Sequence, residues 1–476
     1  MIILNTQRIK SFVLFSLVLM SFVLTTRIWF NISIEGLFVM PQSKIQKVDL
    51  TYDKENLLKP SKLVVHTGQN QMLLFNNSKE RDYYSFILTG SKDAIRHWLT
   101  NYESYTLSSL PKEALQEIRK ERAIELIFGY PIDLENIKSL LNIKKNPWRE
   151  ITNISSIILS PFENKIYIID KNKESIYQFT SNQTSSILTG VITEIEKRND
   201  FPDVFLSDYN EENFKDYSDF VIVPVSIATM PMLKVKNEIL IENKLDREIA
   251  EFFNNDDISD ISSVPDVDGK ITYTDREEET LTIDAEGALE YYKYNITPND
   301  IKSTSVEEAT DIAIQYVSDH LGFKYDFYLS KVESRNQGAR TAYVVSFDYK
   351  YDGIPIITQL DTGSSAIEVE ILGKEVKRYK RNVRVVEDQG NTINIMSSID
   401  IVDIVWGDLN EKLYTSKSES IIVLNDLYLA YLERNDELVP IWVVDVLVEG
   451  KENKQYPRKF LIGAEEGEIG VILGEQ

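Results

Sequence analysis

Along much of this chain, apolar residues alternate with polar residues over short stretches, and turn-forming residues separate the stretches. A period of two places every second side chain on the same face, which predicts half-buried β-strands. In the first half of the chain this pattern predicts strands at residues 63–66, 71–75, 83–88, 122–128, 155–160, 165–170 and 219–227. Residues 270–294 alternate in the same way and contain two turns, which predicts a three-stranded meander.

Other stretches repeat their apolar positions every three or four residues, which predicts helices. These stretches are residues 91–102, 112–121, 134–141, 245–253 and 399–409. The clearest helix follows Ser305, because Ser305 and Glu308 match a capping box, in which each side chain bonds to the other residue's backbone N–H. Its apolar face continues to Leu321, and Gly322 is placed to end the helix in a left-handed conformation.

A helix followed by two strands around a polar turn occurs twice in the second half of the chain. The turns lie at residues 352–353 and 434–437, and Ile354-Pro355 and Val439-Pro440 follow them in equivalent places. Residues 367–372 resemble residues 468–473 in the same way. We interpret this as a weak internal repeat of a helix laid on an antiparallel sheet, a unit that packs against a copy of itself.

Residues 11–34 are predominantly apolar and contain one charge, Arg27. As a helix with a rise of about 1.5 Å per residue, this segment covers the roughly 30 Å hydrocarbon core of a bilayer. A cleaved signal peptide is the alternative, but the apolar stretch is long and no small-residue cleavage site follows it. We predict a single-pass anchor in the cell membrane with a cytoplasmic N-terminus, because long domains translocate largely regardless of their charge.

Together these elements predict an α+β protein, in which an N-terminal transmembrane helix precedes a multi-domain extracytoplasmic body of antiparallel sheets with packed helices. The length of 476 residues fits about three folded domains. The division that we predict is a cytoplasmic tail at residues 1–10, the transmembrane helix at 11–34, an N-terminal α+β domain at 35–200, a central α+β domain at 201–388 and a C-terminal α+β domain at 389–476.

The net charge of −23 is unevenly distributed along the chain. Residues 1–34 carry three basic side chains and no acidic one, whereas the remainder carries 49 basic and 75 acidic side chains. So acidic a body offers no basic surface for phosphate groups, and we therefore predict no nucleic-acid partner. The same charge would repel anionic cell-wall polymers and lipid headgroups.

The residue types that carry most catalytic chemistry are scarce in this chain. Cysteine is absent, which excludes disulfides, thiolate ligands and cysteine nucleophiles. The three histidines, His66, His97 and His320, have no metal-binding spacing, and a packed or surface position is the favoured interpretation of His320. Phosphate-binding glycine loops and the common hydrolase motifs are also missing from the sequence. The sequence therefore predicts no catalytic residue, no metal and no cofactor.

One motif, Asp361-Thr362-Gly363, matches the active-site loop of aspartic proteases. That chemistry needs two carboxylates that share one proton, and the chain has no second Asp-Thr-Gly or Asp-Ser-Gly to supply the other carboxylate. A polar hairpin turn is therefore the favoured interpretation, with a protease that uses Asp361 as the alternative.

Two further patterns favour ordinary structure over a binding site. Asp266 and Asp268 resemble part of a calcium loop, but Val264 would occupy the first ligand position, so a turn is favoured. The chain has 25 tyrosines, with a run at residues 291–294 that could stack on glycans. On a strand, tyrosine is also a common half-buried residue, which is the favoured interpretation.

Three segments resemble the YycH family, the membrane-anchored regulators of the YycFG (WalRK) two-component system of low-GC Gram-positive bacteria. They are residues 122–143, 275–296 and 366–384. The basic tail and the apolar anchor fit the same family. Residues 430–444 are also similar to the related YycI and, more loosely, to PepSY-type domains, so the resemblance implies a YycI/PepSY-like fold for residues 389–476.

The resemblance implies a non-enzymatic regulator that modulates a sensor histidine kinase of the YycG/WalK type and thereby cell-wall metabolism. A YycI-like accessory protein is the second implied partner, and contacts would run through transmembrane helices and extracytoplasmic domains. The family has no catalytic residues to carry over. The alternative function is an extracytoplasmic binding module for a cell-wall polymer or another protein.

The predicted transmembrane helix contains candidate contact residues for a partner helix, because it is apolar all round and its small residues permit close helix approach. The candidates are Ser11, Phe12, Phe15, Ser16, Ser21 and Phe22. Serines are also common in membrane anchors, so an incidental role remains the alternative for each of them.

Overall fold

A computed structural model describes the part of the chain that follows the predicted anchor. The described residues are 54–68, 71–74, 81–144, 148, 151–170, 175–181, 186–197, 204–205, 221–223, 229–241, 249, 251–253, 261–266, 268–275, 279–296, 304–337, 340–357, 365–409, 420–449, 454–467 and 469–473. They belong to one compact unit, Thr51–Gln476. None of the helices within these residues has both the length and the apolar character that crossing a bilayer requires. Residues 11–34 lie outside the described residues.

The N-terminal part of the unit is a seven-stranded antiparallel sheet in the order β2-β1-β4-β5-β6-β7-β3. Its strands are β1 (Lys62–Thr67), β2 (Gln71–Leu74), β3 (Thr106–Pro111), β4 (Arg122–Ile132), β5 (Ile154–Ser160), β6 (Lys165–Asp170) and β7 (Ser175–Thr180). The strands predicted at residues 63–66, 71–75, 122–128, 155–160 and 165–170 are confirmed within the described residues. Both faces are buried, since Leu63 and Val65 pack in one cluster and Val64 packs in another with Leu73 and Ile127.

Helices cover this sheet and connect its strands. They are the α-helices Arg81–Thr100, Leu115–Ile118, Leu134–Leu140 and Ser186–Glu196, with 3-10 turns at Lys54–Leu57, Tyr102–Ser104 and Lys112–Ala114. The helices predicted at residues 112–121 and 134–141 are confirmed, although the first is short. Trp98 is fully buried and its ring stacks on Trp148 with a centroid separation of 5.1 Å.

The strand predicted at residues 83–88 is wrong, because these residues form the first half of the helix Arg81–Thr100. The buried side chains Tyr84, Ile87, Leu88 and Ser91 have the helical spacing i, i+3, i+4 and i+7, and they continue the apolar face of the predicted helix 91–102. A window of six residues contains too few positions to distinguish a period of two from a period of 3.6, so the longer helical pattern decides.

The remainder of the unit is a 15-stranded sheet with the path β11-β12-β13-β14-β19-β18-β16-β17-β21-β22-β10-β20. The strands are β10 (Thr229–Asn237), β11 (Ser262–Pro265), β12 (Ile271–Thr274), β13 (Glu279–Ile283), β14 (Leu289–Lys293), β15 (Asp326–Gln337), β16 (Arg340–Tyr351), β17 (Ile354–Ile357), β18 (Ile367–Leu372), β19 (Glu375–Arg381), β20 (Arg384–Asn394), β21 (Ser420–Arg434), β22 (Glu437–Glu449), β23 (Gln455–Gly463) and β24 (Ile469–Leu473). Off the path, β15 pairs with β16, and β23 pairs with β22 and β24. Among the described residues, the paired strands of this sheet are antiparallel except for the parallel pair β17–β21.

The α-helices Glu238–Ile241, Val306–Asp319 and Ser398–Ile404 accompany this sheet, the last continued by a π turn at Val405–Leu409, and residues 249 and 251–252 are also helical. A short pair, β8 (Val204–Phe205) and β9 (Ile222–Val223), forms a separate two-stranded sheet, and Ile222 packs against Val64, Leu73 and Ile127 of the seven-stranded sheet. The meander predicted at residues 270–294 is confirmed as β12, β13 and β14, and β11 adds a strand before it. The helix predicted near residues 399–409 is also confirmed.

The capping box at the start of the helix Val306–Asp319 is present as predicted. The Glu308 N–H donates to Ser305 Oγ over 3.1 Å, and the Ser305 N–H donates to Glu308 Oε2 over 3.3 Å. At the other end, Gly322 has a φ of +69° and its N–H donates to the Val317 carbonyl. The buried residues Ala309 and Val317 on this helix belong to the large core cluster that also includes β16, β18 and β19.

The sequence predicts two turns, at Asp266–Gly269 and at the Asp361-Thr362-Gly363 motif. Asp266 and Gly269 form the turn before the meander, since the Gly269 N–H donates to the Asp266 carbonyl and Gly269 has a φ of +78°. The Asp361-Thr362-Gly363 motif lies outside the described residues, so its interpretation as a turn stays a prediction.

The described residues therefore form a mixed α+β structure that antiparallel sheets dominate, as the coarse fold prediction states. Strand β10 pairs with both β20 and β22, and β20 runs across the predicted division between residues 388 and 389. Where the domains divide stays a prediction.

Candidate functional site

A cleft of about 620 Å³ lies among residues of both large sheets. Its volume falls in the range of pockets that hold small molecules and short peptides, roughly 300–1,000 Å³. One side comes from the segment before β1, from β1 and β2 and from β4, and the other side comes from β15, β16, β21, β22 and β23. The apolar part of the lining includes Leu57, Leu58, Leu73, Leu74, Ile127, Ile222, Leu329, Ile354 and Leu429.

The β15–β16 hairpin places four polar side chains next to one another. Asp326 is paired with Lys350 across the strands, and Tyr328 is paired with Asp348. Because residues two apart on a strand share a face, all four side chains project from the same side of the hairpin. Tyr328, Asp348 and Lys350 line the cleft.

The β21–β22 hairpin repeats part of this arrangement. Its first strand contains Asp426, Leu427 and Tyr428 at the cleft, and Asp426 is paired with Asp445, which is in turn paired with Lys459 on β23. Both hairpins carry the tetrapeptide Asp-x-Tyr-Leu in their first strand, at residues 326–329 and 426–429. This repeat is not among the sequence-based predictions, which treat the prolines after the two turns as equivalent instead. The two prolines lie at unequal distances from their turns, since Pro355 pairs with Lys350 and Pro440 pairs with Tyr431.

Three of the five lysines that line the cleft form ion pairs with carboxylates. Lys59 pairs with Asp326, and its Nζ also donates to the Phe327 carbonyl over 2.9 Å. Lys62 pairs with Asp426, and Lys331 pairs with Glu333. These contacts hold the ammonium groups in place without a ligand.

Lys459 has strongly anionic surroundings, although no carboxylate of the described residues lies within ion-pairing distance. Its pKa is raised, first by Tyr428 and, against the effect of burial, also by Asp445 and Asp426. The electrostatic field at Lys459 therefore favours its charged form.

Lys350 is different, because it is buried and its acceptors among the described residues are backbone carbonyls. It is 6% exposed, and its Nζ donates to the carbonyls of Pro60 and Ser61 over 3.2 and 3.4 Å. The ammonium also lies 5.3 Å from the centre of the Tyr328 ring. Burial lowers the pKa of Lys350 to about 8. The charge of Asp326 offsets only part of this effect, and the charge of Lys59 lowers the pKa further.

Asp348 lies two residues from Lys350 and has the opposite shift. Burial raises the pKa of its carboxyl group, although the Ala366 N–H donates to Oδ1 over 2.8 Å and Ser330 and Ser365 also bond to it. The pKa of Tyr328 is raised well above its ordinary value, first by burial and then by Asp348. The cleft thus contains a buried cation, hydroxyl groups and an apolar lining, the components of a binding site for a small organic molecule.

A second buried group of charges lies inside the seven-stranded sheet and consists of His66, Arg119, Glu125 and Ser156, here called the Glu125 cluster. Glu125 is fully buried, and Arg119 Nε and Nη2 donate to its two oxygens, each over 2.9 Å. His66 Nε2 lies 3.0 Å from Oε2, and Ser156 Oγ donates to Oε1 over 2.8 Å. Although burial raises it, the charge of Arg119 and the bond from His66 hold the pKa of Glu125 well below its ordinary value.

The three histidines, which all lie within the described residues, are not part of the cleft lining. Ser11, Phe12, Phe15, Ser16, Ser21 and Phe22 lie outside the described residues, as does Asp361. His320 packs among aromatic rings, with centroids 4.1 Å from Tyr316 and 4.5 Å from Phe252, which confirms the packed interpretation. His97 is exposed, and its Nδ1 lies 3.3 Å from the Tyr105 hydroxyl.

Comparison with known proteins finds weak structural neighbours. No protein-family model and no curated protein matches the chain. An uncharacterised protein from Eubacterium rectale is 12% identical with a TM-score of 0.37, over 59% of this chain and 95% of that chain. The C-terminal domain of Bacillus megaterium YpeB is 15% identical with a TM-score of 0.27, over 50% of this chain and 98% of that chain. Scores this low carry no argument about function.

Proposed function

We propose that this protein is a non-enzymatic, membrane-anchored regulator that modulates a sensor histidine kinase of the YycG/WalK type, together with a YycI-like accessory protein. The observation that carries the proposal is the resemblance of residues 122–143, 275–296 and 366–384 to the YycH family. The apolar segment 11–34, between a basic tail and an acidic body, supports it.

The arrangement of these segments in the fold adds a physical argument. Residues 275–296 and 366–384 contain the neighbouring strands β14 and β19. In this antiparallel pair Leu289 lies opposite Arg381, and Tyr292 lies opposite Arg378. Similarity that spans two paired segments concerns one continuous surface instead of isolated turns. Such a surface can contact a partner domain outside the membrane while the anchor contacts a partner helix within it.

A regulator of this kind needs little interaction energy. A kinase with two states is switched by a difference in contact free energy of about 1–3 kcal/mol between the states. One transmembrane helix that packs differently in the two states can supply a difference of that size.

The proposal is tested by exchanging the anchor in the full-length protein. Residues 11–34 are replaced by an unrelated apolar helix, and autophosphorylation of the co-reconstituted kinase is measured in proteoliposomes. We expect the exchange to change kinase output while membrane insertion is retained. A matched chimaera keeps Ser11, Phe12, Phe15, Ser16, Ser21 and Phe22 on the same unrelated background and should restore the output. Unchanged output with both anchors at normal levels contradicts regulation through the helix.

A second candidate function is an extracytoplasmic binding module, and the cleft is the specific observation that favours it. The cleft has the volume of a ligand site and a lining from both large sheets, so a bound molecule would stabilise one arrangement of the body. In a regulator, this gives a route by which a ligand could bias the partner. Thermal unfolding of the full-length protein with soluble cell-wall fragments tests the function, and saturable stabilisation is the expected outcome.

A further inference from the structure

We infer that the cleft binds an organic monocarboxylate with an apolar body of short-peptide size, and that its carboxylate contacts Lys350. The inference deepens the second function proposed above, the extracytoplasmic binding module, and rests on it. It names the chemical class of the ligand and the residue that recognises it.

Among the described residues, the Lys350 ammonium lacks a complete set of hydrogen-bond acceptors. An ammonium group has three donors, and within the described residues Lys350 uses two of them on the carbonyls of Pro60 and Ser61, at the long distances of 3.2 and 3.4 Å. A charge that is 6% exposed requires a counter-charge or complete hydrogen bonding, because its hydration has been removed. Asp326, opposite Lys350 across the strands, is bonded to Lys59. An anion in the cleft would complete the site.

The charged groups of the cleft favour a ligand with a single negative charge. Five lysines and four aspartates line the cleft, and three of these lysines are already paired with carboxylates. Asp348 lies on the same face as Lys350 and would repel a second negative charge, because its carboxyl group is within the same lining. One carboxylate would balance the charge of Lys350, whereas a phosphate dianion would exceed it. The lining therefore matches a monoanion.

The apolar part of the cleft lining favours an apolar body in the ligand. Leu57, Leu74, Ile354 and Leu429 contribute to this part, which suits aliphatic or aromatic groups. Carboxylates with such a body include peptides that end in apolar residues and medium-chain fatty acids. The hydroxyl groups of Ser330 and Ser365, 3.4 Å apart at the lining, can accept or donate further hydrogen bonds.

The test uses the full-length protein in nanodiscs and isothermal titration calorimetry. The probes are N-acetyl-trileucine with a free carboxylate, its C-terminal amide, octanoate and inorganic phosphate. We expect N-acetyl-trileucine to bind at least tenfold more tightly than its amide, and phosphate to show no binding. Lys350→Met should weaken binding of the carboxylate at least tenfold, whereas Lys236→Met, which removes one partner of the exposed pair Lys236–Glu387, should leave it unchanged.

A second measurement guards against a folding defect in the variant. The pKa of Lys350 in the otherwise unaltered protein, followed by NMR of its side-chain carbon, should rise when N-acetyl-trileucine is added, because a bound carboxylate favours the ammonium form. Equal binding of the acid and its amide would overturn the inference and leave the binding-module function standing. Absence of binding by both carboxylate probes, with the pKa of Lys350 unmoved, would overturn the inference, while saturable stabilisation by cell-wall fragments would still support that function.

Discussion

Two buried groups of charges in this protein are organised in opposite ways. In the Glu125 cluster, a carboxylate inside the seven-stranded sheet accepts four hydrogen bonds or close polar contacts, from Arg119, His66 and Ser156. In the cleft, Lys350 is almost as buried, but its hydrogen-bond acceptors within the described part of the chain are two backbone carbonyls at long distances. The first group is electrostatically closed, and the second is open towards a cavity.

The pKa shifts of the two groups express the same difference. Burial opposes ionisation at both sites, yet Arg119 and His66 overcome it and lower the pKa of Glu125. At Lys350 burial prevails and lowers the pKa to about 8. A lowered pKa thus means a stabilised charge at the acid and a destabilised charge at the base. Burial alone therefore does not distinguish a structural ion cluster from a ligand-binding site. The two differ in whether the hydrogen-bonding partners of the buried charge are complete.

The largest effect is expected from Glu125→Gln. The substitution removes the carboxylate charge that accepts two hydrogen bonds from Arg119, and breaking a buried ion pair typically lowers the free energy of unfolding by about 3–5 kcal/mol. Urea denaturation followed by circular dichroism measures the change. Glu117→Gln is the matched control, because Glu117 forms an exposed pair with Lys120 and its loss should change stability by less than about 1 kcal/mol. Equal effects of the two variants would contradict a structural role for the cluster.

The opposite sign is expected from Lys350→Met. The variant removes a desolvated charge with incomplete partners, so we expect the free energy of unfolding to rise by about 1–3 kcal/mol near pH 7. The matched variant Lys62→Met lies in the same cleft but leaves Asp426 without its partner, and should lower that free energy by about 1–3 kcal/mol. If both lysine variants destabilise the protein to the same extent, the contrast between Lys350 and its paired neighbour is wrong.

The stability gain of Lys350→Met should depend on pH. In the unfolded chain the lysine titrates near its ordinary pKa of 10.5, and in the folded protein near 8. The charged form disfavours folding, so the gain is fully present below about pH 8 and declines as the pH rises towards 10.5. Asp326, Asp348, Tyr328 and Lys59 surround the ammonium and are common to both proteins. Thermal unfolding of both proteins from pH 7 to 10.5 measures the difference, and a constant gain would contradict a lowered pKa.

The smallest effect is expected at the hydroxyl groups of the two sites. Ser156→Ala removes a hydrogen bond to a fully buried carboxylate and should lower the free energy of unfolding by about 1–2 kcal/mol. Ser330→Ala acts at the cleft, where Asp348 keeps the Ala366 N–H as a donor, and should lower it by less than about 0.5 kcal/mol. A larger loss at Ser330 than at Ser156 would mean that the cleft is the more tightly organised site.

The sequence alone determined the elements whose signals are local. The meander β12–β14 follows from alternation and turn residues, and the helix Val306–Asp319 follows from Ser305, Glu308 and an apolar face. Each signal needs only neighbours a few positions away, so no tertiary information is required. The failure at residues 83–88 has the same origin, since the window is shorter than the helix that contains it. The Asp-x-Tyr-Leu repeat at residues 326–329 and 426–429 was also readable in the sequence.

Only the tertiary structure decided which charges meet. His66 and Glu125 are 59 positions apart, and Lys350 reaches a carbonyl 290 positions earlier in the chain. The periodicity of a strand specifies the face of a side chain but not the strand opposite, so neither the closed cluster nor the open cleft can be inferred from local pattern. Burial and partner geometry, which set the pKa of each group, exist only in the folded structure. For that reason the sequence predicts a protein without catalytic or ligand-binding residues in its body. Among the described residues that line the cleft, the fold shows one buried lysine, Lys350, with an incomplete set of partners.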